Sequence, residues 1–197
     1  MLEGRTVNLR VREREDVDFF VEHHHNDVNY YGERGPIMEQ MSKTEAEKRF
    51  ENPSPTVTLC EAARFVIVTK EGAKIGSIGH YFIQPSRLME IGYDIIPSER
   101  GKGYGTEAVQ IMIDYLFLSK DIVRIQAVTN VDNIPSQRVL EKAGFMREGT
   151  LRKVSHARQE WGDAYVYSVL REGWKEPKIL TRGKLGNGSV RVGENEA

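Results

Sequence analysis

A glycine-rich loop, Arg100-Gly101-Lys102-Gly103-Tyr104-Gly105-Thr106, separates an apolar run that ends in Ile95-Ile96-Pro97 from a long amphipathic segment. This order predicts a strand, a loop and a helix. Glycine lets a backbone approach a ligand closely, and the unpaired N–H groups at a helix N-terminus favour an anion. The loop therefore predicts a phosphate-binding site. It lacks the G-x-x-x-x-G-K-[ST] spacing of nucleoside triphosphatases, so we expect the phosphate to be carried rather than cleaved.

Length, charge and cysteine content limit the number of domains, the partners and the cellular compartment that we expect for this protein. A chain of 197 residues is long enough for one well-packed domain and short for two. The formal net charge of -1 gives no basic field for nucleic acid, which we do not expect as a partner. The single cysteine, Cys60, cannot form an internal disulfide and fits a reducing compartment. No apolar run reaches the length of a membrane helix or a signal core, so we expect a cytoplasmic protein without a membrane partner.

A metal site is not expected. His23-His24-His25 is the densest group of potential ligands. Adjacent helical residues point about 100° apart, whereas helical ligand pairs such as those of H-E-x-x-H are four residues apart. The three histidines are therefore expected at a solvated helix end.

Hydrophobic periodicity predicts an α/β (α+β) fold with a consecutive antiparallel meander in the middle of its sheet. The predicted strands cover residues 6–11, 64–69, 74–83, 88–96, 122–129 and 165–170, and the predicted helices cover 16–25, 44–50, 103–118 and 133–143. Thr44 and Glu47 have the spacing of a capping box. Arg147, Arg152, Lys153 and Arg158 are expected around a surface loop. We expect residues 1–178 to form one domain and 179–197 a flexible tail.

Three motifs in order resemble the GCN5-related N-acetyltransferase (GNAT) superfamily. The family motif R/Q-x-x-G-x-G/A is met by Arg100, Gly103 and Gly105. A second match is Asn133-Ile134-Pro135-Ser136 followed by Lys142-Ala143-Gly144-Phe145, which is similar to the family's N-x-x-S/A and K-x-G-F elements. The third is the segment from Tyr167 to Trp174, which is similar to the Y-S-L-L-R-x-x-W segment that ends the domain in the RimJ/RimL-type branch. The resemblance covers residues 6–174. That branch contains acetyltransferases that act on the N-terminal amines of ribosomal proteins.

The resemblance implies a single domain whose mixed, mostly antiparallel twisted sheet is splayed at its centre and flanked by helices. It also implies acetyl-CoA as co-substrate, with no metal, and an amine acceptor as partner; a homodimer remains open. The expected CoA-binding residues are Tyr93, Asp94, Ile95, Arg100, Gly101, Lys102, Gly103, Tyr104, Gly105, Thr106 and Asn133. In the family the pyrophosphate lies on the loop amides, and the pantetheine arm pairs with the preceding strand.

Two catalytic residues follow from the resemblance. Glu90 lies in Glu90-Ile91-Gly92-Tyr93, which resembles the E-I-G-Y element of the RimJ/RimL type, and is the candidate base that deprotonates the amine through a water. The motif alone also fits a charged residue on a solvated strand face. Many members place a tyrosine seven residues after the signature asparagine, but Leu140 stands there. Ser136 is therefore the candidate proton donor to the CoA sulfur; it also suits a helix N-terminal turn beside Pro135.

Four functions are compatible with the sequence. The first is acetylation of a protein or peptide N-terminus, and the second is acetylation of a small amine such as an antibiotic, a polyamine or an amino-acid derivative. The third is a non-catalytic acyl-CoA-binding module. The fourth is a nucleotide-binding oxidoreductase, because Gly103, Gly105 and Ala108 match G-x-G-x-x-A, but that fingerprint belongs after the first strand of a βαβ unit and not after a meander.

Overall fold

The computed structural model describes residues 1–25, 41–51, 63–83, 88–157 and 160–180. Within these residues, eight strands form one sheet in the order β1-β2-β3-β4-β5-β6-β8-β7. The strands are β1 (Leu2–Glu3), β2 (Val7–Val11), β3 (Ala63–Thr69), β4 (Lys74–Ile83), β5 (Leu88–Ile95), β6 (Arg124–Asn130), β7 (Met146–Ala157) and β8 (Glu160–Leu170). All neighbouring pairs are antiparallel except β5 and β6, which run parallel.

The described helices lie on both faces of the sheet. They are α1 (Val17–Phe20), α2 (Lys43–Glu51), α3 (Tyr104–Ser119) and α4 (Ile134–Ala143), and α1 continues as a π-helical turn, Val21–His25. None of these helices has the length and apolar character needed to cross a bilayer.

The sheet opens between β5 and β6. Their pairing consists of Met89 opposite Ile125 and Glu90 opposite Gln126, although β5 continues to Ile95. The strands therefore separate beyond Glu90, and the last residues of β5 form one wall of an opening. This is the splayed centre that the resemblance implied.

The main core lies between the sheet and helices α3 and α4. Ile111, Met112 and Leu116 of α3 are fully buried in one cluster with Met89 and Ile91 of β5. On the other face, Phe19 and Phe20 of α1 pack with Val66 and Val68 of β3. A third cluster joins α1 to α2 through Val17, Met41 and Ala46. Alternate residues of the central strands thus point to different helix layers.

The predicted fold class is confirmed, but the C-terminal hairpin was predicted wrongly. Residues 146–157, expected to include a loop, form the twelve-residue strand β7, and β8 begins at Glu160 instead of residue 165. β7 is an edge strand whose described side chains are mostly exposed, with charged and neutral residues mixed, so it lacks the apolar alternation that marks a half-buried strand. Arg147 and Lys153 therefore lie on a strand, although Lys153 has a positive φ of 52° near an irregularity in the pairing.

The beginning of α2 also differs from the prediction. The helix starts at Lys43, and the Ser42 hydroxyl accepts the N–H of Glu45 at 3.2 Å. Ser42 therefore caps the helix, in place of the predicted Thr44. Ser42 and Glu45 have the same three-residue spacing as Thr44 and Glu47, so the sequence pattern alone fits both positions.

Asp114 on α3 holds the C-terminal end of the described chain. Its buried carboxylate accepts the Trp174 indole N–H at 2.9 Å and the backbone N–H groups of Lys178, Ile179 and Leu180 at 3.1, 2.7 and 3.0 Å. Leu180 is fully buried. The packed part of the chain therefore reaches at least Leu180, and the rest of the predicted tail, residues 181–197, lies outside the described residues.

Candidate active site

The glycine loop connects the end of β5 to the start of α3. A short 3-10 turn, Pro97–Glu99, follows the strand, and Gly101 and Gly103 have positive φ values of 78° and 87°. Only glycine adopts such values without strain. No heavy atom of the described chain lies within 4 Å of a Cβ built on either glycine, so the loop surface is open.

The N-terminus of α3 has no side-chain cap. Gly103 occupies the N-cap position and lacks a side chain that could accept the first-turn N–H groups. These N–H groups, which belong to Tyr104, Gly105 and Thr106, have no intrahelical acceptor and lie at the positive end of the helix dipole. The geometry suits an anion placed on the loop.

The wall formed by β5 presents backbone groups to the opening. The Ile96 N–H donates to the Ile75 carbonyl of β4 at 2.9 Å. Because peptide groups alternate in direction along a strand, the N–H groups of Tyr93 and Ile95 face away from β4, toward the opening. An extended ligand could pair with this edge as an added strand would.

Three other residues that were predicted to bind CoA lie near the loop, and each contacts a different protein group. Arg100 Nε donates to the Ile95 carbonyl at 3.0 Å and so ties the loop to the end of β5. Lys102 Nζ lies 3.0 Å from Glu99 Oε2. Asp94 is buried and accepts the Ser77 hydroxyl at 2.6 Å, so its carboxylate joins β5 to β4.

The start of α4 forms the opposite wall. Asn133 caps the helix, its side-chain oxygen accepting the Ser136 N–H at 3.2 Å. Across the opening, the Tyr93 hydroxyl lies 2.9 Å from Ser136 Oγ and donates to the Ser136 carbonyl at 3.1 Å. The two candidate residues Tyr93 and Ser136 therefore meet at one place. Leu140, at the position where many family members have tyrosine, is fully buried and supplies no hydroxyl.

Glu90 lies at the point where β5 and β6 separate. The Tyr81 hydroxyl of β4 donates to Glu90 Oε1, and Gln126 Nε2 of β6 donates to Glu90 Oε2 at 2.8 Å. Burial raises the pKa of Tyr81, and the hydrogen bond and charge of Glu90 raise it further. The phenol is therefore a stable donor to the carboxylate at neutral pH.

Gln126 is itself held from the other side. Arg124 Nη2 lies 3.4 Å from Gln126 Oε1, and Arg124 Nη1 donates to Glu148 Oε1 of β7 at 2.6 Å. The Ser168 hydroxyl of β8 also donates to Glu148 Oε1 at 2.6 Å. Hydrogen bonds from Arg124 and Ser168 lower the pKa of Glu148 to about 2. A polar row thus crosses β4 to β8 and fixes the orientation of the Glu90 carboxylate.

Glu90 and the Tyr93–Ser136 pair lie on different faces of the sheet. Met89 and Ile91 point into the main core, and Tyr93 packs against the same cluster. Because side chains alternate along a strand, Glu90 points to the other face. A reaction centre in the opening would have the carboxylate on one side and the two hydroxyls on the other.

Sequence reasoning missed Tyr81 and Gln126. Tyr81 was open to prediction, because an antiparallel hairpin that pairs the predicted strand ends, residues 83 and 88, places it opposite Glu90, as observed. Gln126 carried no local signal, since its place depends on parallel pairing between strands separated by a whole helix. The described residues include no group of three or more His, Cys, Asp or Glu side chains that could hold a metal ion; the side chains of His24 and His25 lie outside the described set.

These features fit acetyl-CoA. Open loop amides suit a pyrophosphate, the free edge of β5 suits an amide-containing arm, and a hydroxyl pair lies beyond it. When bound, acetyl-CoA supplies an activated acetyl group as a thioester.

Comparison with known proteins agrees with this geometry. The model of the family "Acetyltransferase (GNAT) domain" matches residues 6–146. An uncharacterized N-acetyltransferase, YnaD of Bacillus subtilis, is 38% identical over 109 residues, which are 55% of this chain and 64% of that protein. The ribosomal-protein-serine acetyltransferase of Escherichia coli is 30% identical over 107 residues, 54% of this chain and 60% of that protein. Both matches thus span less than two thirds of the relative's length.

A solved structure has the same fold. The spermidine N-acetyltransferase of Vibrio cholerae, in complex with CoA and spermine, aligns with a TM-score of 0.72 and 22% identity over 87% of this chain and 99% of that chain. With a family model that covers most of the chain, and with the loop, splayed sheet and strand order described above, the chain belongs to the GNAT family of N-acetyltransferases.

Proposed function

We propose that the protein transfers acetyl from acetyl-CoA directly to the N-terminal amine of a protein or peptide. The observation that carries the proposal is the placement of Glu90: its carboxylate is held by Tyr81 and Gln126 at the opening between β5 and β6, on the face away from the CoA loop. A base held there is accessible to an amine that enters from the side opposite to acetyl-CoA.

The amine must lose a proton before it attacks. The unperturbed pKa is about 8 for an α-amino group and about 10.4 for lysine, so deprotonating lysine costs roughly 3 kcal/mol more at a given pH. Glu90 takes this proton through a water. Deprotonating an α-amino group therefore costs less free energy than deprotonating a lysine, which makes the α-amino group the easier acceptor for this carboxylate to activate.

The transfer forms one bond and breaks another. The amine nitrogen bonds to the acetyl carbon, and the bond from that carbon to the CoA sulfur breaks. The backbone N–H of Ile95 is the donor assigned to the acetyl oxygen. Ser136, whose hydroxyl is within hydrogen-bond distance of Tyr93, gives a proton to the departing sulfur, which would otherwise leave as a thiolate.

The test is thiol release from acetyl-CoA with a panel of N-terminal peptides and small amines, for the wild type and Glu90→Gln. Glu45→Gln on α2, a carboxylate paired only with Arg49 in the described chain, is the matched control. The proposal predicts release with peptides that is lost in Glu90→Gln and kept in Glu45→Gln. Release with small amines only would assign the protein to metabolite or drug modification, and CoA binding without release would favour a non-catalytic module.

A further inference from the structure

The face of the sheet that carries Glu90 also carries two neighbouring arginines. Arg12 follows β2, and its N–H donates to the Arg64 carbonyl of β3 at 3.2 Å, so the two residues are cross-strand neighbours. The Arg12 guanidinium lies over the Phe20 ring, 4.2 Å from its centroid. Phe20 packs with Val66 and Val68, which places Arg12 on the α1 side of the sheet.

These two guanidinium groups have no salt-bridge partner within the described residues. Neither Arg12 nor Arg64 forms a salt bridge there, and Arg12 Nε is buried with no hydrogen-bond partner. The nearby Asp16 carboxylate is instead bonded to Arg10 at 2.7 Å and Lys74 at 2.8 Å. Burial lowers the pKa of Arg12, and the charge of Arg64 lowers it further, whereas the charge of Asp16 opposes this shift. Like charges opposite one another destabilise a sheet, so an anion bound between them would be stabilising.

A pair of glycines, Gly79 and Gly92, lies between the arginines and Glu90. Arg64 is opposite Gly79 of β4, and Gly79 is opposite Gly92 of β5. A Cβ built on Gly79 would lie 3.3 Å from Arg64 Cγ, so the arginine stem passes along this glycine. Nothing in the described chain lies within 4 Å of a Cβ built on Gly92. Among the described residues, the sheet surface at Gly92 is therefore open beside Glu90.

The distance from Arg64 to Gly92 fits a short peptide. Two strand spacings separate Arg64 from Gly92, or about 10 Å. Two to three extended residues span about the same distance, at roughly 3.3 to 3.6 Å each. The charge of Arg64 also opposes the rise in the pKa of Tyr81. Because the Tyr81 hydroxyl donates to Glu90, the charge of Arg64 acts on the part of the site where Glu90 lies.

We propose that Arg64 and Arg12 form an anion subsite beside Glu90, and that the acceptor is a peptide N-terminus with an acidic side chain among its first three residues. The inference rests on the proposed N-terminal activity and adds its substrate class. The α-amine lies at Glu90, and the carboxylate lies on the two guanidinium groups. A polyamine, which is cationic along its length, is repelled by the same arginines.

The test compares two peptides that differ only by Glu or Gln at their second and third positions. Charge-assisted hydrogen bonds to arginine should raise wild-type kcat/KM for the Glu peptide at least about tenfold over its Gln isostere. In Arg64→Met this ratio should fall toward one, and in Arg64→Lys it should be partly retained. Arg152→Met, which removes an exposed arginine of β7, should keep the wild-type ratio. Circular dichroism confirms that each variant is folded.

The outcomes separate the subsite from the activity. Equal turnover of both peptides, or a ratio unchanged in Arg64→Met, overturns the subsite and leaves the N-terminal activity standing. Turnover of spermidine or free glutamate in place of peptides overturns both. If no peptide is turned over, fluorescence anisotropy of the labelled Glu peptide decides: weaker binding to Arg64→Met supports the subsite, and equal binding overturns it.

Discussion

The Tyr93 hydroxyl lies 2.9 Å from Ser136 Oγ, a contact that joins β5 to the first turn of α4 across the opening of the sheet. Both residues come from motifs that are 43 positions apart in the chain. Their meeting gives the site a hydroxyl pair on the CoA side, although the tyrosine that many family members carry on α4 is replaced by the buried Leu140. The Tyr93 phenol thus reaches the same region from the facing strand.

Ser136→Ala should lower kcat by about tenfold or more while changing acetyl-CoA affinity little, because general acid assistance acts in the transition state. Steady-state kinetics and calorimetric titration of acetyl-CoA measure the two effects. Ser119→Ala, at the far end of α3, is the matched control. A wild-type kcat in folded Ser136→Ala would remove this serine from the mechanism.

Gly103→Val and Gly105→Val should abolish acetyl-CoA binding. Gly103 has a φ of 87°, which strains any other residue, and a side chain there would occupy the open surface expected to hold the pyrophosphate. Gly105→Ala is the milder companion, since its Cβ would only meet Val139 and Ile95 at 3.6 and 3.7 Å. Titration of acetyl-CoA into the folded variants is the measurement. Unchanged affinity in Gly103→Val would contradict the placement of the pyrophosphate.

Gln126→Leu should lower kcat and leave the KM for acetyl-CoA nearly unchanged. The substitution removes the donor 2.8 Å from Glu90 Oε2, on the face away from the CoA loop. With one partner lost, the carboxylate is less well oriented for proton transfer. Gln126→Glu should lower kcat further, because the new carboxylate would repel Glu90. A wild-type kcat in folded Gln126→Leu would show that Gln126 does not position Glu90.

Asp114→Ala should destabilise the protein by about 3 kcal/mol or more, because it leaves several buried N–H groups without an acceptor. The loss should appear as a lower midpoint in urea unfolding. Asp121→Ala, which removes an exposed carboxylate just after α3, should have little effect. Equal midpoints for the two variants would contradict the anchoring role of Asp114.

Stability should decrease in acid partly because of Asp16. Burial alone would raise the pKa of Asp16, but hydrogen bonds from Arg10, Lys74 and the Glu13 N–H lower it from 3.8 to about 2. A carboxyl whose folded pKa is depressed stabilises the fold above its unfolded pKa, and that contribution of about 2 kcal/mol is lost between about pH 4 and pH 2. Unfolding across this range should show a steeper loss for the wild type than for Asp16→Asn. Parallel curves would exclude Asp16 as the source.

Local patterns in the sequence were enough to predict the central strands and the two long helices. The strand over residues 74–83 was predicted at its observed limits, and the helix predicted over residues 133–143 ends at Ala143 as expected, because apolar periodicity and a glycine stop mark them. β7 escaped prediction because its mostly exposed side chains, charged and neutral residues mixed, carry no such pattern. β7 is held in the sheet by its hydrogen bonds to β8, and neither segment's sequence alone predicts that the two strands pair.

The candidate site was predictable to a smaller extent. Family motifs made Glu90, Tyr93 and Ser136 candidate site residues, but they did not indicate that Glu90 faces away from the other two or that Gln126 holds it. These relations depend on strand parity and on the parallel contact between β5 and β6. Arg12 and Arg64 lie in no motif, and only the neighbouring positions of β2, β3 and β4 bring them to the glycine pair.

The most direct measurement uses one peptide that has both a free α-amine and an internal lysine, incubated with the protein and acetyl-CoA and analysed by fragment mass spectrometry. We predict acetyl on the α-amino nitrogen alone, formed by the wild type and lost in Glu90→Gln. Acetyl on the lysine side chain, or equal product from Glu90→Gln, would contradict an N-terminal acetyltransferase in which Glu90 is the base.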